Sequence, residues 1–211
     1  MRYKIARLLT YVLAAGTLVV PVASVVTPAA HAAPSANRFG AVSPTNAPAV
    51  EEELAQYLNV EDIILDGGPS LVGVESTIVD CTNETPFILR PGAVTAEMIE
   101  ESTGLVALAP EKSDIRVSGS LDSHYSPKAK VILDAIAERG DGLIAPDQIP
   151  TPDGVIRLAS PRTIEGYARD LYAALRSADA QGIEVVVVLQ PGGGGLAAAI
   201  RDRLQRSAFQ S

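Results

Sequence analysis

The chain of 211 residues contains no tryptophan, one cysteine (Cys81), two histidines (His31 and His124) and only 4% aromatic residues. That shortage excludes a Cys/His zinc site, a disulfide framework and a CxxC redox pair. Basic residues are also scarce: 17 lysines and arginines against 25 acids leave a net charge of -8. With no run of five basic residues, strong direct binding to a nucleic-acid backbone is not expected. No GxSxG elbow, GxGxxG fingerprint or P-loop ending in Lys-Ser/Thr is present, which removes the usual signatures of an α/β-hydrolase, a dinucleotide-binding unit and a P-loop NTPase. What remains is a composition of 47% hydrophobic and 20% charged residues, ordinary for a globular protein and long enough for one domain or two small ones.

Residues 1–32 differ from the rest. Arg2, Lys4 and Arg7 precede an apolar stretch from Leu8 to Val20, and the segment closes on Ala30-His31-Ala32 without an acidic residue. A basic start, an apolar middle and an A-x-A end form the pattern of a secretory signal peptide, so export or membrane anchoring through residues 1–32 is one expectation. Beyond it, no stretch is long and apolar enough to span a bilayer.

From Ala33 onward the pattern alternates between α and β. A helix is expected over 47–58, with Asn46 as N-cap and an acidic first turn. A short strand is expected over 63–65, ending in the turn Asp66-Gly67-Gly68-Pro69. Runs at 74–79 and 87–89, separated by Asn83-Glu84-Thr85-Pro86, predict a hairpin. Thr95 caps a helix over 95–102 without a capping box, because Met98 stands where an acid or amide would be. A strand over 105–108 and a polar linker follow. The second unit offers strands at 130–133, 142–145, 155–158 and 183–189 and helices at 161–178 and 195–207, the first of these helices starting on Ser160-Pro161. Ile164, Tyr167, Ala168, Leu171 and Leu175 share one face of it. In the second helix Leu196, Ala199, Ile200 and Leu204 face inward, with Arg201, Asp202 and Gln205 outside. The unbroken run of Val185 to Leu189 predicts a strand covered by helices on both faces.

Among candidate sites, Pro191-Gly192-Gly193-Gly194-Gly195 lies where backbone amides can hold a phosphate, but its spacing fits a plain strand-to-helix turn better. His124 with Tyr125 and Ser126 could serve acid/base chemistry, and Ser76 beside Glu75 a nucleophile. Cys81 reads as a buried small hydrophobe, and Glu51, Glu52 and Glu53 as a solvated helix face. Four polar loops stand at the ends of apolar segments: 33–45, 66–70, 75–77 and 89–92. Arg90, whose fork can hold a phosphate bidentately, is the natural anion clamp among them.

At these loops the chain resembles a known family. APSANRFGAVSPT at 33–45, DGGPSLVGVESTIVD at 66–80, ILRPGAV at 88–94, SHYSPKAKV at 123–131, YARDLYAALRSAD at 167–179 and GLAAAIRDRLQRSA from 195 are similar, in order and spacing, to the threonylcarbamoyl-AMP synthases in their two-domain form. The resemblance implies an α/β chain in four parts: the signal-like segment 1–32, the C-terminal part of a twisted mixed-sheet synthase domain over 33–110, a linker over 111–127, and a small Rossmann-like open α/β domain over 128–211.

The implied reaction joins threonine, bicarbonate and ATP into threonylcarbamoyl-adenylate and pyrophosphate, with Mg²⁺ accompanying ATP. Partner proteins then transfer the threonylcarbamoyl group to tRNA, which places the family in the cytoplasm. By the family's motifs, Ser35 and Ser76 lie against threonine, Asn37, Thr45, Arg90 and Ser126 hold ATP, and His124 and Tyr125 belong to a linker segment over the nucleotide. No metal ligand and no covalent catalytic residue is assigned.

The chain departs from the family pattern before the APSAN loop, where a Lys-x-Arg motif and several strands are expected. Two charge-assisted ATP contacts worth about 1.5–3 kcal/mol each would be missing. The implied expectation is a truncated synthase with weak ATP binding and an exposed apolar sheet edge in 33–110. Two other readings stand beside it: a non-catalytic exported or tethered binding module, and a nucleotide-binding regulator using the 191–195 loop.

Overall fold

The computed structural model describes residues 41–109, 117 and 125–209. The signal-like segment, Ser35, Asn37, His124 and most of the expected linker lie outside the described residues. Ten elements follow in chain order: α1 (Ala47–Leu54), β1 (Ile78–Asp80), β2 (Phe87–Arg90), α2 (Ala96–Thr103), β3 (Lys130–Leu133), β4 (Gly142–Ile144), β5 (Ile156–Ala159), α3 (Ile164–Ala180), β6 (Val185–Val188) and α4 (Leu196–Ala208).

The strands form two sheets. β1 and β2 make the expected antiparallel hairpin, with Ile78 opposite Arg90 and an irregularity between Ile78 and Val79. Leu108, expected in a strand, contributes only an isolated parallel bridge to Phe87. The larger sheet has the order β3-β6-β4-β5 with every neighbouring pair parallel. Its middle strand is the valine run, and alternate valines feed two separate cores. Val186 and Val188 pack with Val131, Ile144 and residues of α3 and α4 such as Leu171, Leu175, Ile200 and Leu204. Val187 packs on the other face with Leu143, Ala145 and Ala137, partly covered by Ala135, Val155 and Leu189. The expectation of helices on both faces is therefore corrected: α3 and α4 share one face, and the other is closed by loop residues. The chain from β3 to β4 has too few residues to form a crossover helix.

Several local expectations are also corrected. Asn46 caps α1 as expected, its Oδ1 accepting from Ala49 N at 2.9 Å, but the helix ends at Leu54 and its first turn holds no acid. The 63–65 strand does not form; Ile63 and Leu65 are exposed, and β-branched residues without a neighbouring strand gain nothing from extension. Of 74–79 only the end enters β1, while Val74 and Glu75 are buried in a loop. Cys81 is exposed, not buried. Glu53 pairs with Arg176 of α3 at 3.3 Å, so only Glu51 and Glu52 form a solvated face.

Thr95 caps α2, accepting from Met98 N at 3.3 Å. For α3 the cap is Thr163, whose Oγ1 accepts from Gly166 N at 3.0 Å, not Ser160; the carbonyl of Pro161 is already taken by Asp147 N at 3.1 Å. Thr163→Ala should accordingly cost about 1 kcal/mol in a urea titration, and Ser160→Ala should leave the midpoint in place.

The main core is not closed by residues beyond 128 alone. Val42, Val74 and Tyr125 belong to the same buried cluster as α3 and α4. Among the described residues no helix is long and apolar enough to cross a membrane.

Candidate functional site

Two close backbone approaches set the loop that carries Ser76. At Gly73, with φ of +78°, a Cβ would stand 2.2 Å from the carbonyl oxygen of Ala168 and 2.3 Å from Cα of Arg169 in α3. At Gly92, just after β2, a Cβ would meet the Glu75 carbonyl oxygen at 2.4 Å and the Ser76 carbonyl carbon at 2.6 Å. Only glycine lets the backbone come this near. The Glu75-Ser76-Thr77 segment is thus pressed between helix α3 and the exit of the hairpin. Thr77 Oγ1 donates to the Val94 carbonyl at 2.5 Å, completing the clamp.

Arg90 ends β2 with its side chain turned onto this loop. Its Nε and Nη2 donate to the Ser76 carbonyl at 3.0 and 2.8 Å, and Nη2 lies 3.2 Å from Ser76 Oγ. The expected anion clamp is therefore also a clamp on the peptide and hydroxyl of Ser76. Ser76 Oγ is held by a cation, and among the described residues no base donates to or accepts from it, an arrangement unsuited to the nucleophile considered from sequence.

Behind Ser76 lies a buried polar cluster. One oxygen of Glu75 accepts from Ser43 Oγ at 2.5 Å; the other accepts from Tyr172 OH at 2.9 Å and Arg203 Nε at 2.7 Å. Arg203 is 0% exposed, donates through Nη2 to the Pro91 carbonyl at 2.8 Å and pairs through Nη1 with Asp202. Its guanidinium stands 5.2 Å from the centroid of the Tyr125 ring, which stacks on Tyr172 at 5.8 Å. Tyr125 has φ of 60°, a costly conformation for a bulky residue, and Ser207 Oγ fixes it by donating to its carbonyl at 2.9 Å. The next residue, Ser126, has a buried Oγ with no hydrogen-bond partner among the described residues. Thr45 is half-buried and holds Ser70 N through its carbonyl at 2.7 Å, two residues from Ser43.

The structure thus brings Ser76 and Arg90 together and sets Tyr125 on the cluster behind them. Arg203, Tyr172 and Ser43 were missed as parts of one site, although Arg203 follows Ala199 and Ile200 at helical spacing. The glycine loop is a turn, as its spacing suggested. Arg201 closes it by donating to the carbonyls of Pro191 and Gly193, both at 2.7 Å. The two bonds tie the loop's carbonyls to the helix that follows it.

Burial raises the pKa of Tyr172 well above 10.0, with the Glu75 carboxylate adding to the shift. Tyr125 is raised by the same two causes, and Tyr167 by burial and then Asp134. Because these tyrosines ionise more readily in the unfolded chain, their contribution to stability is intact below 10.0 and is lost as pH rises above it. The urea midpoint should therefore fall on the alkaline side, and Tyr167→Phe should flatten that fall.

Sequence and structure comparisons place the chain among known proteins. Residues 94–209 match the family profile described as threonylcarbamoyl-AMP synthase, C-terminal domain. Residues 18–92 match one described as telomere recombination, a match beginning inside the signal-like segment. The threonylcarbamoyl-AMP synthase of Pyrococcus abyssi is 34% identical over 197 residues, covering 84% of this chain and 57% of that protein. The Bacillus subtilis protein of the same name is 32% identical over 198 residues, covering 84% and 56%. The chain thus spans a little over half the length of these relatives. Among solved structures, P. abyssi Sua5 complexed with L-threonine superposes with a TM-score of 0.69 at 31% identity, over 83% of this chain and 56% of that one. With a family profile covering more than half its length, the chain belongs to the threonylcarbamoyl-AMP synthase family.

Proposed function

We propose that the chain takes part in making threonylcarbamoyl-adenylate: threonine, bicarbonate and ATP give the adenylate, pyrophosphate and water. The observation that carries this reading is the hold of Arg90 on Ser76, which presents a fixed hydroxyl beside a cation within the family's own loop. The solved relative described as complexed with L-threonine supports threonine as the amino acid bound. In this reading Ser35 and Ser76 contact threonine, Asn37, Thr45, Arg90 and Ser126 contact ATP, and His124 and Tyr125 lie over the nucleotide. The hydroxyl of Ser126, buried and without a hydrogen-bond partner among the described residues, is suited to a polar ligand, which would complete its hydrogen bonding.

The chemistry asks for positioning. The amino nitrogen of threonine condenses with bicarbonate, releasing water. An oxygen of the N-carboxylate so formed attacks the α-phosphorus, the bond to the oxygen bridging the α- and β-phosphorus breaks, and pyrophosphate leaves with the electron pair. Holding the reactants in line accounts for much of such a rate, and fixed cations stabilise the charge that develops. Mg²⁺ enters this reading as an ion carried by the phosphates of ATP and by water. The product passes to proteins that modify tRNA in the cytoplasm; an acidic chain suits transfer through partners better than a direct grip on tRNA.

The test is pyrophosphate release by the full chain with ATP, Mg²⁺, threonine and bicarbonate, each omitted in turn. Release is expected to require both threonine and bicarbonate, and Arg90→Ala to lower it roughly 100-fold or more. No release, or release indifferent to threonine, overturns the reading.

A further inference from the structure

Glu75 sits next to the proposed threonine contact, yet its carboxylate faces away, into the protein. Three donors from three parts of the chain converge on it: Ser43 ahead of α1, Tyr172 of α3 and Arg203 of α4. Arg203 reaches beyond Glu75 to the carbonyl of Pro91, and the backbone after Pro91 is the one pressed against Glu75 and Ser76. One guanidinium therefore grips both walls of the Ser76 loop. The same side chain lies over the ring of Tyr125, while the Ser126 hydroxyl beyond it takes no part in the cluster.

A buried ion pair is poor evidence for net stability, since well-packed apolar residues of similar volume often serve as well or better. What a three-donor carboxylate supplies is one defined geometry, because every donor must be in place at once. Here that geometry is imposed on the residue preceding Ser76 by two helices more than 90 residues further along the chain.

We propose that Glu75 and Arg203 are positioning residues, through which α3 and α4 fix the Ser76 loop and thereby set affinity for threonine. The inference rests on the proposed function for its ligand, and on geometry alone for the fixing of the loop. Neither residue is among the proposed substrate contacts. Their effect should fall on threonine, with ATP binding held by other contacts.

The experiment compares the full chain with Glu75→Gln and Arg203→Lys. The first keeps side-chain size, and Arg203 retains Asp202 as a partner; the second keeps the charge and loses the fork. Equilibrium binding of threonine and of ATP is measured beside amide hydrogen exchange of residues 74–77 and 185–188. The expected result is a tenfold or greater loss of threonine affinity, ATP affinity within twofold, and tenfold faster exchange at 74–77 with 185–188 unchanged. Threonine affinity within twofold of the unaltered chain overturns the proposal. So does a parallel loss for both ligands with faster exchange at 185–188, which marks a merely structural role. If Arg203→Lys does not fold, Glu75→Gln decides. If the unaltered chain binds no threonine, the functional reading fails separately and exchange decides the fixing of the loop: local acceleration at 74–77 sustains it, and no change overturns it.

Discussion

Arg203→Met is expected to lower stability by about 3–5 kcal/mol, because it leaves the buried Glu75 carboxylate without its cation. The methionine matches the length of the lost stem but supplies none of its donors, so the Pro91 carbonyl also loses the partner it has at 2.8 Å. An ordinary domain holds only about 5–15 kcal/mol in total, and the urea midpoint should move accordingly. The ion pair of Arg139 with Asp153 makes the comparison: its side chains are 75% and 94% exposed. Arg139→Met should stay within about 0.5 kcal/mol of the unaltered chain. Equal shifts for the two variants would mean that the buried cluster contributes no more than a surface pair.

Gly73→Ala should be as damaging for a different reason. The left-handed backbone costs about 1–2 kcal/mol for any residue with a Cβ. The contact with helix backbone at 2.2 Å adds about 1–3 kcal/mol of overpacking, since α3 cannot yield as a flexible side chain would. Gly68→Ala separates the two terms: φ is +87° there, but nothing lies within 4 Å of the added carbon, so only the backbone cost should appear. Gly92→Ala supplies the complement, with its closest contacts on Glu75, Ser76 and Thr77. Chemical denaturation of the three variants would order them, and a Gly73→Ala midpoint no lower than that of Gly68→Ala would show that the loop relaxes away from α3.

Signals confined to a few neighbouring residues were legible in the sequence. Asn46 and Thr95 announce their helices through their own side chains, and the polar turn at 83–86 announces its hairpin. Thr163 was harder to read, because Ser160-Pro161 offers an equally good start three residues earlier and the choice depends on Asp147, which takes the Pro161 carbonyl. The 63–65 strand failed because extension requires a neighbour that local composition cannot reveal.

For the site, proximity of Ser76 to Arg90 follows from the hairpin register, and their association was readable through the motifs. Arg203 was not. A charged residue on the apolar stripe of α4 looks like the edge of a helix face until Glu75 is placed against it, and 128 positions separate the two. Cys81 was misread for the opposite reason: an apolar run precedes it, but the chain turns outward after Asp80, whose Oδ1 accepts from Thr82 N at 2.9 Å.

The distance along the chain between Glu75 and Arg203 also has a meaning in time. At a synthesis rate of about 5–20 residues per second, the carboxylate waits roughly 6–26 seconds for its arginine to be made. For most of that interval the nascent chain carries Val42 and Val74 without α3, and throughout it without the completed α4, so the Ser76 loop lacks its full support. Fragments ending before α4 should therefore be captured by holding chaperones during translation, and release should coincide with emergence of the last helix from the ribosome.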